Sequence, residues 1–173
     1  MVATQIYIPL VNDQDEIIGE GEKLAVHQAG LLHRAFSILV HDGQGKWLLH
    51  QRALHKYHSG GLWTNTCCGH PNVGESMENA VHRRLQEEMG FDCPLTFQFK
   101  FRYQAALDQG LMEHEIDHVY IGEYTGPFTV NPEEVAAIRW QTFDEIQASM
   151  ALQPHLFTVW FKEIVAELEK RKR

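Results

Sequence analysis

Apolar and polar positions alternate at several places along the chain, and each such stretch ends in a turn signal. Residues 6–11 alternate weakly, Asn12-Asp13-Gln14-Asp15 turns the chain, and Glu16-Ile17-Ile18-Gly19 follows, which predicts a β-hairpin. Residues 23–32 predict irregular chain or a short helix. A second hairpin is predicted where residues 35–40 and 47–52 flank Asp42-Gly43-Gln44-Gly45. The polar, glycine-bearing stretch 55–61 predicts a loop, and so does the following segment with Cys67, Cys68 and His70. The period then becomes helical. Met77, Val81, Leu85 and Met89 recur every fourth residue, Ser76 suits the N-cap, Glu78 the first turn, and Gly90 the residue after the last turn. Two strands, 95–107 and 111–124, are predicted around Asp108-Gln109-Gly110, with a short strand at 137–141. Thr142 and Glu145 form a capping box for a helix through Met150. A last helix is predicted to begin at Pro154, with Phe157, Trp160, Phe161, Ile164, Val165 and Leu168 as its buried stripe. Antiparallel hairpins with inserted helices imply an α+β fold or an α/β sandwich, and no internal repeat or low-complexity segment interrupts it.

Bulk composition narrows the function classes. At 173 residues the chain is expected to form one domain with a substantial core. A net charge of −8 argues against nonspecific nucleic-acid binding, and the basic run Lys170 to Arg173 reads as a solvated helix end. The absence of a signal-like or membrane-length apolar run leads us to expect no membrane partner. Three cysteines make no disulfide framework, so a reduced, cytoplasmic protein is expected. Eleven histidines are an excess that invites a search for metal ligands or proton-transfer groups.

Three local features admit both a bland and a functional reading. Arg83 and Arg84 precede Glu87 and Glu88 at i,i+4, which could be two surface ion pairs of about 0.2–0.5 kcal/mol each. That order puts carboxylates at the negative end of the helix dipole, the weaker arrangement for stability, and favours a site that needs them there. Glu113 and Glu115 share one strand face, as an exposed polar edge or as paired carboxylates of a site. Cys68 is either a small buried hydrophobe or a reactive thiol in a Gly-His-Pro neighbourhood.

Gly69, Glu75, Arg83, Leu85, Glu87, Glu88, Gly90 and Phe91 resemble the Nudix box, G-x5-E-x7-R-E-U-x-E-E-x-G-U with U bulky and apolar. One position departs: Arg84 stands where Nudix hydrolases carry the first helical glutamate, a group that helps bind divalent metals. A cation there speaks against hydrolysis and suits diphosphate binding. Residues 63–71, Trp-Thr-Asn-Thr-Cys-Cys-Gly-His-Pro, with Arg52-Ala53-Leu54 and Glu113-His114-Glu115, resemble type I isopentenyl diphosphate isomerases. The likeness runs from Glu22-Lys23 to Trp160. It implies the α/β/α sandwich of the Nudix fold, with mixed, largely antiparallel sheets and flanking helices. It also implies a 1,3-allylic proton shift between isopentenyl and dimethylallyl diphosphate through a tertiary carbocation, in isoprenoid biosynthesis.

By that resemblance Cys68 and Glu115 flank the substrate, Tyr103 stands beside Glu115, and Trp160 lies against the cation. In isolation Trp160 reads as a core residue. Lys23, Arg52, Lys56 and Arg84 are implied to bind the diphosphate. His27, His33, His70, Glu113 and Glu115 are implied to hold one divalent ion, with Mn²⁺, Zn²⁺ and Mg²⁺ all open. A further Mg²⁺ is implied to bridge the diphosphate to Glu88 and the Cys68 carbonyl. The N-terminal segment 1–33 is expected to help complete the site, and Gly60, where many relatives carry proline, to loosen the Lys56 loop. Cys67 is expected to pack, Cys93 has no functional case, and His41, His50, His82 and His155 read as ordinary surface or core residues. The expected partner is a small prenyl diphosphate, with no nucleic acid; monomer and homodimer both remain open. Two other readings compete: a Nudix pyrophosphohydrolase, motivated by Glu75, Glu87 and Glu88, and a non-catalytic domain binding a prenyl or nucleoside diphosphate through Arg52 and Arg84.

Overall fold

A computed structural model describes residues 5–172; residues 1–4 of the N-terminal segment and Arg173 of the basic run lie outside the described residues. The chain opens with the expected hairpin, β1 (Tyr7–Val11) and β2 (Ile17–Glu22), and passes directly into a short helix, α1 (Lys23–Ala29). Glu22 caps α1 through its carboxylate, which accepts the Ala25 N–H at 2.8 Å. The strand β3 (His33–His41) organises the sheet. It meets β1 at Leu10, touches β4 (Lys46–Arg52) at His41, and runs parallel to β8 (Met112–Glu123) from His33↔Glu115 to His41↔Glu123. Strand β4 pairs with β5 (Trp63–Thr64) and β9 (Val135–Thr142), β6 (Cys67–Gly69) with β3, and β7 (Leu95–Ala106) with β8.

The pleat of β3 sorts its side chains into two cores. Phe36, Ile38 and Val40 pack with Ala80, Val81, Leu85 and Met89 of α2 (Met77–Met89). On the other face Leu39 packs with Leu49, Val119 and the apolar stripes of α3 (Phe143–Leu152) and α4 (Val159–Arg171). Helices therefore cover both faces of a mixed sheet, the α+β sandwich expected. Glycine closes α2 for two physical reasons. Gly90 has φ 75°, and a Cβ there would lie 2.0 Å from the Thr129 carbonyl oxygen, because the chain leading to β9 crosses over this helix end.

Two local expectations are corrected. The segment around Cys67 and Cys68 contains two short strands rather than loop alone. Side chains supply part of its pairing: Asn65 Nδ2 donates to Ile38 O at 3.1 Å and Thr66 Oγ1 to Leu48 O at 2.6 Å, contacts that alternation in the local sequence does not reveal. The last helix starts at Val159, not Pro154, which instead heads a 3₁₀ turn, Pro154–Leu156. Phe157 is held extended by its bridge to Trp63, and the Thr158 N–H donates to Trp63 O at 3.0 Å, so the helix waits for Thr158 as its N-cap. At Gly60 a Cβ would sit 2.6 Å from Leu54 O, and the neighbouring Ser59 N–H donates to Asp108 Oδ1 at 2.8 Å.

Candidate active site

One end of the sheet gathers the histidines. Lys23 and His27 are four residues apart, so α1 presents them on one face; His33 begins β3 directly beside Glu115 of β8; His70 follows β6. His27 Nε2 lies 2.6 Å from Glu113 Oε1, His33 Nε2 3.2 Å from Glu115 Oε2, and His70 Nε2 3.6 Å from that same oxygen. Donor atoms of His27, His33, His70 and Glu113 all fall within 4.8 Å of one another. The other ring nitrogens of His27 and His33 contact the carbonyls of Lys23 at 2.7 Å and Leu31 at 2.9 Å, which orients both Nε2 lone pairs toward the carboxylates. His27 Nε2, His33 Nε2, Glu113 Oε1 and Glu115 Oε2 are buried and make no hydrogen bond. Lone pairs facing lone pairs at such range fit a cation, and imidazole with carboxylate suits a divalent metal. Burial alone would raise the Glu115 carboxyl, yet contacts with Glu113, His33 and Tyr103 hold it below its ordinary value.

Beside this cluster lies the thiol. The indole N–H of Trp160 donates to Cys68 Sγ at 3.0 Å, and the thiol donates to Asn65 Oδ1 at 3.2 Å. Burial, then the nearby Glu88 charge, push the Cys68 thiol up to about 12, so it is protonated at neutral pH. Tyr103 O–H donates to Glu115 and lies 3.3 Å from Glu113 Oε2. Cys67 is fully buried in the α2-side core, and Cys93 is buried there too.

The four expected cations, Lys23, Arg52, Lys56 and Arg84, line one open cavity of about 170 Å³ with Cys68, His70, Glu88, Glu113, Glu115 and Trp160. Arg84 ion-pairs with Glu88 at 2.5 Å and Glu87 at 2.7 Å. Arg83 turns mainly to Glu75, at 2.7 and 2.8 Å, with Glu87 at 3.3 Å. The Arg52 guanidinium sits 5.2 Å above the Trp160 ring. Burial, then Lys56 and Arg84, lower Lys23 to about 8.

The family model of the NUDIX domain matches residues 31–165. A Photorhabdus laumondii protein named isopentenyl-diphosphate Delta-isomerase 2 is 51% identical over 156 residues, covering 90% of this chain and 88% of its own. The isopentenyl-diphosphate Delta-isomerase of Serratia proteamaculans is 50% identical over 159 residues, covering 92% and 89%. This chain belongs to the isopentenyl-diphosphate Delta-isomerase family. Among solved structures, DR0079 of Deinococcus radiodurans aligns with TM-score 0.78 at 18% identity, covering 93% of this chain and 98% of its own, a likeness of fold.

Three further residues line the cavity of this isomerase-family chain. His58 is buried 3.8 Å from Glu113 Oε1, with its ring edge-on to Trp160 at 5.9 Å between centroids. Burial, then the Arg52 charge, lower it to about 3, so it is neutral. Tyr57 lies beneath the Lys23 ammonium at 5.4 Å. Glu134 pairs with Lys56 at 2.7 Å. None had a periodic signal. His58 was one polar residue in a polar loop, and Glu134 one of two acids after Pro132.

Proposed function

We propose that the chain interconverts isopentenyl and dimethylallyl diphosphate by protonation and deprotonation through a tertiary carbocation, with Cys68 and Glu115 as the two proton-transfer groups. The reading rests on one observation above the rest: a half-buried, protonated thiol held by Trp160 shares a cavity with an ionised, tyrosine-bonded Glu115. Such a pair starts with one transferable proton, as an allylic shift requires. In the forward direction a proton adds to the terminal methylene carbon. The cation forms at the branch carbon, and a proton leaves the carbon between that centre and the diphosphate-bearing carbon. The new double bond lies between those two carbons, so protons and electrons balance. Trp160 offers an indole face to the cation, and Tyr103 holds Glu115 in position. Lys23, Arg52, Lys56 and Arg84 take the diphosphate oxygens. In the N-terminal segment, α1 completes the site with Lys23 and His27.

His27, His33, His70, Glu113 and Glu115 would hold one divalent ion, Mn²⁺, Zn²⁺ or Mg²⁺, and Glu88 with the Cys68 carbonyl would hold the Mg²⁺ of the diphosphate. When bound, these ions supply fixed positive charge that orients Glu115 and offsets the phosphate charge. Hydrolysis is disfavoured, because Arg84 stands where a Nudix hydrolase carries its first helical glutamate, so the helix lacks one carboxylate of a hydrolase's metal set. Proton NMR with isopentenyl diphosphate, Mg²⁺ and Mn²⁺ in D₂O tests the reading. Deuterated dimethylallyl diphosphate is expected, and Cys68→Ala should abolish it. Full activity in that variant would remove the mechanism, whereas phosphate release without allylic product would favour the hydrolase.

A further inference from the structure

Glu134 is a charged group of the cavity that none of these roles employs, and its position is built rather than loose. Its N–H donates to Asn131 O at 3.0 Å, its carbonyl accepts the Ala53 N–H at 3.0 Å, and the Asn131 N–H donates to Glu88 O at 2.9 Å. These bonds fix the start of β9 between the Lys56 loop and the end of α2. The carboxylate is delivered into the cradle, with Oε2 2.7 Å from Lys56 Nζ and 3.4 Å from Arg84 Nη2, and its side chain is 22% exposed. Burial alone would raise its carboxyl, but Lys56, then Arg84 and Lys23, hold it below the ordinary range, so it is ionised at neutral pH. Lys23, Arg52, Lys56 and Arg84 thus share the cavity with two carboxylates at the α2 end, Glu88 and Glu134.

We propose that Glu134 is a specificity residue that makes the cradle accept a diphosphate only together with its magnesium ion. The inference rests on the reading of Lys23, Arg52, Lys56 and Arg84 as the diphosphate cradle. A bare diphosphate reaching Lys56 and Arg84 must approach Glu134 as well, and like charges at such range oppose it. A diphosphate carrying Mg²⁺ arrives with part of its negative charge already offset, so Glu134 opposes it less. Glu134 therefore subtracts from affinity in general and subtracts most from the unaccompanied anion.

Calorimetric binding of inorganic diphosphate tests this, in magnesium-free buffer and again with Mg²⁺, for the full chain and for Glu134→Gln. The native chain is expected to bind at least tenfold more tightly with magnesium. Glu134→Gln should tighten magnesium-free binding by roughly tenfold and shrink the magnesium effect correspondingly. Glu134→Asp, which keeps the charge, should retain most of the discrimination. Unchanged binding in Glu134→Gln overturns the inference alone, as does equal weakening in both buffers, which would mark a merely structural partner of Lys56. Loss of the magnesium effect with magnesium-free affinity unchanged also overturns it, since that pattern belongs to a magnesium ligand. No binding by the native chain in either buffer overturns the cradle itself.

Discussion

Removing the charge of Asp15 should release the N-terminal hairpin that delivers Lys23 and His27. Asp15 sits in the β1–β2 turn at φ 63°, buried, and joins three strands of the sheet. Its carboxylate lies 3.0 Å from Arg34 Nε, 3.1 Å from Lys100 Nζ and 2.8 Å from His118 Nε2. Asparagine tolerates left-handed backbone, so Asp15→Asn deletes charge without adding backbone strain. The Arg34 and Lys100 contacts are each about 5 kcal/mol in gross Coulomb terms at an effective dielectric near 20, before desolvation is subtracted. Burial lowers the His118 imidazole and leaves it a neutral hydrogen-bond partner at pH 7. Breaking a fully buried ion pair costs about 3–5 kcal/mol. Lys100 is 48% exposed and contributes little, so a net loss of roughly 2 kcal/mol is expected, mainly from Arg34. For a domain of this size that corresponds to about 4–8 °C in Tm. Asp15 is held below the ordinary carboxylate range: burial alone would raise it, and Arg34, Lys100 and His118 overcome this. The stabilisation is therefore complete above the unfolded value near ~3.9 and is lost as pH falls through the lower folded value. Thermal melts at pH 7 and in acid, with hydrogen exchange over β1, β2 and α1, provide the assay. A change below about 0.5 kcal/mol at pH 7, or a difference that persists undiminished in strong acid, would refute the clamp.

Two further outcomes follow from packing and titration. Gly90→Ala forces a Cβ against the Thr129 carbonyl in left-handed backbone and should cost at least ~1–3 kcal/mol, read as a lower urea midpoint; a neutral substitution would show that the crossing chain can move away. Burial lowers the His50 imidazole, which contacts Thr66 O at 2.7 Å. Below about pH 6.5 the unfolded chain binds a proton that the folded chain resists, so stability falls with acidification by up to ~1.4 kcal/mol per pH unit from this group. His50→Gln should flatten the urea-derived stability curve between pH 7 and 5; identical slopes would exclude His50 as a source.

Sequence alone carried what local chemistry encodes. The four-residue apolar period and the caps at Ser76 and Gly90 marked α2, Thr142 with Glu145 marked the start of α3, and the long β7–β8 hairpin was visible as two strands around Asp108-Gln109-Gly110. The resemblance also nominated Cys68, Glu115 and Trp160, which line one cavity, and Tyr103, which bonds Glu115. Non-local pairing decided the rest. Strands β5 and β6 exist because Asn65 and Thr66 satisfy backbone groups of β3 and β4, and α4 begins late because Trp63 holds Phe157 and Thr158. His58 and Glu134 look like solvated loop residues when read in line. Only the crossing of separate segments sets them beside Glu113 and Lys56, where each acquires its charge state from neighbours distant in sequence. Local preference is written residue by residue, whereas burial and electrostatic environment belong to the assembled fold.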